Sequence, residues 1–256
     1  MKFIILGCGS SMGVPRSNGF FGKCNPNNKK NYRSRCSALI KTKTETALID
    51  TSPDLRQQLI NNKINIIDKV FYSHLHADQT HGINDLRVFY LKKKKPIPIY
   101  ADKLTKKYLF DTFKYCFVDN NKEYPAILKL NSINKKLFLI DGNKKVPIKA
   151  IKVKHGNIDS ICYIINNKLA YISDVSDIRK RDYKYFKNLE YIIIDCLRLK
   201  PHPSHLNLES SLNLIEKFKP KKAILTNLHT DLDYDFIKKI LPKNIEPAYD
   251  GLTLRL

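Results

Sequence analysis

Tyr72-Ser-His-Leu-His-Ala-Asp-Gln-Thr-His-Gly82 decides how this chain is read. Three of the seven histidines fall in this stretch. The run Lys69–Tyr72 before it is apolar and β-branched, which predicts a strand. At the end of a strand, His74 and His76 are spaced i, i+2 and point to the same side. Two imidazoles so placed can grip one cation, and a turn after them sends Asp78 toward a second position. Imidazole with carboxylate suits Zn²⁺, Mn²⁺ or Fe²⁺. The bland alternative is three solvated loop histidines. The strand before and a helix predicted over Gln79–Tyr90 constrain the loop and argue against it.

Working outward, His155, Asp174 and His229 each sit just past a predicted strand end. Strand ends on one rim of a sandwich converge, although a lone histidine in such a place is more often solvated than ligating. Strands are predicted at Lys2–Leu6, Ser37–Lys41, Ala47–Ile49, Lys69–Tyr72, Ile97–Tyr100, Lys149–Val153, Ile161–Ile165, Lys168–Ile172, Tyr191–Ile194 and Lys222–Thr226. Helices are predicted from Ser52 (N-cap, with Pro53 first) to about Asn61, over Gln79–Tyr90, from Leu208 to Phe218, and from Tyr234 to Ile240 before Pro242. Alternating strands and helices imply two packed sheets with helices outside.

The chain has 256 residues, 43% hydrophobic and 27% charged, which excludes wholesale disorder. No linker or repeat divides it, so one domain over residues 1–256 is expected. No apolar run can span a bilayer, and Met1–Gly9 lacks the features of a signal peptide, so a cytoplasmic location and no membrane partner are expected. The six cysteines form no C-x-x-C pair and read as reduced thiols. A net charge of +22 fits an anionic partner, but the lysine excess travels with Asn and Ile, as A·T-rich codons also produce. Charge alone decides nothing.

The motif His-x-His-x-Asp after a strand resembles that of the metallo-β-lactamase-fold hydrolases, and the likeness runs along the whole chain. It implies a four-layer αββα sandwich, an α/β (α+β) fold. Asp50 in Leu48-Ile-Asp-Thr-Ser52 is similar to the family's supporting aspartate. His155 in Val153-Lys-His-Gly156 resembles the third ligand histidine, Asp174 in Tyr171-Ile-Ser-Asp-Val175 the bridging carboxylate, and His229 the last ligand. The resemblance implies one or two divalent ions, zinc or manganese. His74, His76 and His155 would hold the first; Asp78, His229 and Gln79 the second; Asp174 would bridge. Gln79 stands where the family has a histidine, and in many relatives the last ligand directly follows the threonine, where this chain has Asn227. His81 is expected to hydrogen-bond a ligand residue from behind rather than to bind the metal itself.

The opening Leu6-Gly-Cys-Gly-Ser-Ser-Met-Gly-Val-Pro15 resembles the phosphodiesterase branch, and most of all the cyclic phosphate phosphodiesterases of phosphonate breakdown. A glycine turn after a strand lets backbone N–H groups approach an anion. Arg33-Ser-Arg-Cys-Ser37 and Tyr249-Asp-Gly-Leu252 are similar to segments of the same group. Some of that group hold a structural zinc through several upstream cysteines; only Cys24 stands in that stretch. Leu197–Glu209 resembles the branch's late histidine motif. It implies that His205 protonates a leaving alkoxide, with Glu209 orienting it and Asp78 serving the same chemistry. His202, between two prolines, reads as a rigid loop residue, and Lys92–Lys95 as a solvated loop. The implied reaction is phosphodiester cleavage, cyclic phosphates included, by a metal-bound hydroxide. The substrate would be a small molecule or nucleotide, and a homodimer is compatible. Two alternatives remain. One is a tRNA 3′-processing-type ribonuclease, favoured by charge but lacking a Gly/Pro-rich basic arm. The other is a non-catalytic metal- or nucleic-acid-binding protein with a degenerate site.

Overall fold

The structure is a computed structural model that describes residues 1–119, 124–133 and 136–256. Its strands in chain order are β1 (Lys2–Gly7), β2 (Ser37–Lys41), β3 (Thr46–Ile49), β4 (Lys69–Phe71), β5 (Ile97–Ala101), β6 (Leu128–Ser132), β7 (Leu137–Asp141), β8 (Lys144–His155), β9 (Ile158–Ile165), β10 (Leu169–Ile172), β11 (Tyr191–Asp195), β12 (Lys222–Thr226), β13 (Ile245–Pro247) and β14 (Thr253–Arg255). They form two seven-stranded sheets, β14-β1-β2-β3-β4-β5-β6 and β13-β12-β11-β10-β9-β8-β7.

Each sheet is antiparallel in one half and parallel in the other. Pairing turns parallel from β3 onward in the first sheet and from β10 onward in the second. Parallel strands need covered faces, and their sequences are correspondingly apolar. The helices α1 (Leu55–Asn61), α2 (Ala77–Thr80), α3 (Arg87–Lys93) and α4 (Lys103–Thr112) belong to the first half of the chain; α5 (Leu208–Phe218) and α6 (Tyr234–Ile240) belong to the second. Phe3, Ile5, Ile40, Phe71, Tyr163 and Tyr171 fill the space between the sheets. Leu55, Leu59, Phe89 and Leu109 seal one outer face, and Leu214, Ile215, Phe218 and Ile237 the other. The result is the expected αββα sandwich.

Two helix expectations are corrected. The segment Gln79–Tyr90 is not continuous: α2 ends at Thr80, a tight turn covers Ile83–Leu86, and α3 follows. Gly82 lies at the break; a Cβ there would meet the Ser52 carbonyl oxygen at 2.0 Å, so packing on the β3–α1 connection interrupts the helix. α1 starts at Leu55 rather than at Pro53. Ser52 Oγ accepts from Asp54 N at 3.0 Å, and the Asp54 carboxylate takes a bidentate bond from Arg35 instead of capping the helix. β8 is longer than expected at 12 residues. The short strands β6, β7, β13 and β14 and the helix α4 stand where no element was predicted. No described helix is long and apolar enough to cross a membrane.

Candidate metal centre

The carboxyl ends of the parallel strands meet on one rim, the usual place for a site in such sheets. Asp50, just past β3, is buried in a left-handed conformation (φ +62°) that aspartate tolerates better than most residues. Its carboxylate accepts from Ser73 N at 2.7 Å and Ser73 Oγ at 2.8 Å. Ser73 O in turn accepts from Ile161 N of the opposite sheet at 2.9 Å. The histidine loop is thus fastened at its root to both sheets, and Asp50 occupies the supporting place expected of it. Burial pushes its carboxyl well above the ordinary range.

The tautomers follow from these bonds. Ser73 gives its hydroxyl proton to Asp50, so at 2.9 Å it accepts from Nδ1–H of His74, leaving a lone pair on Nε2. Likewise, His155 Nδ1 donates to the Ser204 carbonyl at 2.7 Å. His74 Nε2 lies 2.9 Å and His155 Nε2 3.2 Å from His76 Nδ1. Tetrahedral zinc with bonds near 2.0–2.1 Å would set its nitrogens about 3.3 Å apart, so three inward lone pairs at this spacing fit one cation. Burial lowers His74 to about 3, keeping it neutral as a ligand must be. Asp174, also buried, brings a carboxylate oxygen within 4.8 Å of the His155 and His205 nitrogens. Burial alone would raise its pKa, but His74 and His155 outweigh that and hold it down. Asp78 is pushed up to about 6, first by burial and then by Asp174.

The second position departs from expectation. Gln79 is buried with its amide Nε2 donating to Asp78 Oδ2 at 3.1 Å and Asp174 Oδ2 at 3.3 Å; its carbonyl, the atom a ligand would use, points away without a partner among the described residues. His229 reaches the pocket wall, but Arg16 Nη2 takes its Nε2 at 2.8 Å and Asp231 Oδ1 its Nδ1 at 3.1 Å. Two residues on from Asn227, His229 would share its side of an extended chain. Instead Asn227 is left-handed (φ +62°), which reverses the side on which His229 emerges. Asn227 itself enters the site, 3.4 Å from Asp174 Oδ1 and 3.3 Å from Asp195 Oδ1. His81 lies outside, 3.0 Å from the Tyr108 hydroxyl.

His205 Nδ1 bonds Asp195 Oδ2 at 2.7 Å. Burial would lower this imidazole, but Asp195 raises it to about 9. Burial also raises Asp195, to about 7, so the pair shares one proton; the carboxylate's further bonds from Val175 N and Asn227 favour its placement on the imidazole. Glu209, expected to orient His205, is instead exposed on the first turn of α5. Asp195 has one signal in the sequence, a carboxylate closing the otherwise apolar run Tyr191-Ile-Ile-Ile-Asp195. His202, read as a loop residue, lines the same pocket with its ring 5.2 Å from that of His205.

The pocket, about 300 Å³, is also lined by Ser10, Ser11 and Met12 of the glycine turn, and the Ser10 hydroxyl is buried without a protein partner among the described residues. Asp250 fastens that turn, accepting from Cys8 N at 3.1 Å and Ser34 N at 2.8 Å. Buried Arg33 ties the opening segment to the loop after β12, donating to the carbonyls of Leu232 at 2.7 Å and His229 at 3.4 Å. A larger hollow of about 790 Å³ opens near Ile133 and Lys149, with no histidine, cysteine or carboxylate among the described residues that line it. The loop expected over Lys92–Lys95 is corrected in its first half: Lys92 and Lys93 close α3, where Lys92 donates to the Asn65 carbonyl and Lys93 pairs with Asp68.

A family model described as a β-lactamase superfamily domain matches residues 45–227. A Porphyromonas gingivalis protein named octanoyltransferase is 30% identical over 257 residues, covering 98% of this chain and 51% of its own length; the chain spans about half of that relative. A diphosphatase from the PhnP family is 29% identical, with a TM-score of 0.89 over 100% of this chain and 97% of its own. Zn²⁺-bound PqqB from Methylobacterium extorquens (17% identity, TM-score 0.75, 100% of each chain) shares the fold. So does human short-form tRNase Z (17% identity, TM-score 0.70, 100% of this chain and 99% of its own).

Proposed function

The chain belongs to the β-lactamase superfamily, and from that premise we propose that this metallo-β-lactamase-fold hydrolase cleaves phosphodiester bonds of small molecules or nucleotides. One observation carries the reading: the His205–Asp195 pair faces the three imidazoles across a single pocket. His74, His76 and His155, with Asp174 beside them, would hold a divalent ion, zinc or manganese. Such an ion supplies Lewis acidity at a phosphoryl oxygen and makes a nearby water acidic.

The chain's own groups supply the rest. Asp50 and Ser73 hold His74 in one tautomer, and the Ser204 carbonyl does the same for His155. Water adds to phosphorus and releases a proton to solvent as the P–O bond to the leaving group breaks. His205 gives its Nε2 proton to the departing oxygen, and Asp195 steadies the imidazolium beforehand. The unpartnered Ser10 hydroxyl is available to a non-bridging phosphoryl oxygen. The likeness to a PhnP-family diphosphatase over the whole chain supports phosphorus as the reacting centre. Acyl transfer, named for the Porphyromonas relative, is not carried over, because this chain spans only about half of that protein (51%). The net charge of +22 and the fold shared with tRNase Z favour RNA as a second substrate reading. Binding to RNA that weakens steeply with salt would favour it over a small diester.

A screen of cyclic and linear phosphodiesters with added Mn²⁺ or Zn²⁺ tests the proposal. Turnover of at least one is expected, with His205→Ala slower by roughly 10²–10⁴ on an alkyl leaving group and far less on p-nitrophenolate. Equal losses on both would remove His205 as the acid, and no turnover of any diester would remove the reaction class.

A further inference from the structure

We propose that this centre binds one divalent cation per chain, because Gln79 and Asn227 set amide hydrogens where a second cation would have to sit. The inference rests on the function proposed above only in taking His74, His76 and His155 as the seat of the first ion.

Asp174 lies between the two sides of the pocket. On the second side, both of its oxygens already accept hydrogen bonds: Oδ2 from Gln79 Nε2 at 3.3 Å and Oδ1 from Asn227 Nδ2 at 3.4 Å. The same Gln79 amide donates to Asp78 Oδ2 at 3.1 Å, and the same Asn227 amide to Asp195 Oδ1 at 3.3 Å. Each NH₂ group therefore bridges two carboxylates. It offers two partly positive hydrogens to lone pairs that a second metal would otherwise take.

Turning the amides over would bring carbonyl oxygens inward, but at a cost that differs from one to the other. Gln79 would give up both bonds and face two carboxylates as an acceptor. Asn227 would set its carbonyl against Asp174 and Asp195 and gain only His205 Nδ1, 3.1 Å away, whose hydrogen Asp195 already takes at 2.7 Å. Nor can Asn227 withdraw. Its backbone is left-handed, and its neighbours are pinned on both sides: Leu228 N donates to Cys8 O at 2.8 Å, and Thr226 O accepts from Cys196 N at 2.9 Å. The nearby imidazole of His229 is occupied by Arg16 and Asp231. Apart from His205, which lies with His155 within 4.8 Å of an Asp174 oxygen and whose Nδ1 is held by Asp195, a second ion would be left with the Asp78 carboxylate, a share of Asp174 and neutral carboxamide oxygens, a poorer set than the three imidazoles opposite.

The experiment strips the full chain with chelator, reloads it with Mn²⁺ under equilibrium dialysis, and reads metal content together with the frozen-solution electron paramagnetic resonance spectrum. About one Mn²⁺ per chain is expected, with the spectrum of an isolated ion and any further binding more than about 100-fold weaker. The Gln79→His/Asn227→His double variant should take up a second ion and show an exchange-coupled pair. Two ions of similar affinity in the unmodified chain would overturn the inference. So would a double variant folded by circular dichroism that still binds one. Should the double variant not fold, the stoichiometry of the unmodified chain decides alone. A chain that binds none defeats the metal trio itself, and this inference with it, whereas two ions defeat this inference only.

Discussion

The loop after β4 and the loop after β12 begin alike. Each leaves a buried parallel strand at the same rim, and each carries a histidine that local spacing aims into the pocket. In the first loop the aim holds: Ser73 N and Oγ are fixed by Asp50, no residue from Tyr72 to His76 takes a positive φ, and His74 and His76 face one point. In the second, Asn227 turns left-handed immediately after Thr226, and His229 is delivered to Arg16 and Asp231. An i, i+2 rule for side-chain facing is therefore only as good as the extended backbone it presumes. A residue able to adopt positive φ is the warning that it will fail.

The largest effect should come from breaking the loop that kept its aim. His155→Ala removes one of three converging lone pairs, and metal analysis of the purified variant should find almost none retained, with hydrolysis below detection. His229→Ala should keep its metal; if the two variants lose metal equally, the contrast between the loops is mistaken. Next is the proton. A general acid works only while protonated, so rate is lost as pH rises through its pKa. His205 is held at about 9, because Asp195 outweighs the lowering effect of burial. In Asp195→Asn the limb should slide toward the ordinary imidazole value near 6.5, a loss of about 30-fold at pH 8. A pH–rate profile with an unmoved basic limb would deny the pairing.

Arg33→Met sharpens the comparison from the second loop's side. It leaves the Leu232 and His229 carbonyls without their buried donor, which should cost about 2–4 kcal/mol in urea unfolding. An unchanged midpoint would mean that the loop holds its course without the guanidinium. The smallest effect belongs to Glu209→Ala. This carboxylate is exposed, so stability should stay within about 0.5 kcal/mol and turnover within about 2-fold of the unmodified chain. A drop approaching that of Asp195→Asn would restore Glu209 as the orienting group.

Much of the sandwich was legible because its parallel strands are short apolar runs with clear punctuation. α5 and α6 were legible because their 3.6-residue patterns begin at Asn207 and Asp233, whose side chains do cap them. The edge strands β6, β7, β13 and β14 were not, since an edge faces water on one side and its sequence mixes polar with apolar residues. The break at Gly82 was hidden for another reason: what interrupts the helix is the Ser52 carbonyl, thirty positions earlier in the chain.

The same division runs through the pocket. Residues adjacent in the chain, such as His74 and His76 or Asp50 at its strand end, could be placed from order alone, because a short extended segment has few ways to point its side chains. Which carboxylate holds His205, which way Gln79 presents its amide, and where His229 ends depend on atoms brought together from positions 16, 79, 174, 195 and 227. Those distances are set by how the two sheets stack and how one asparagine turns, so only the folded chain decides them.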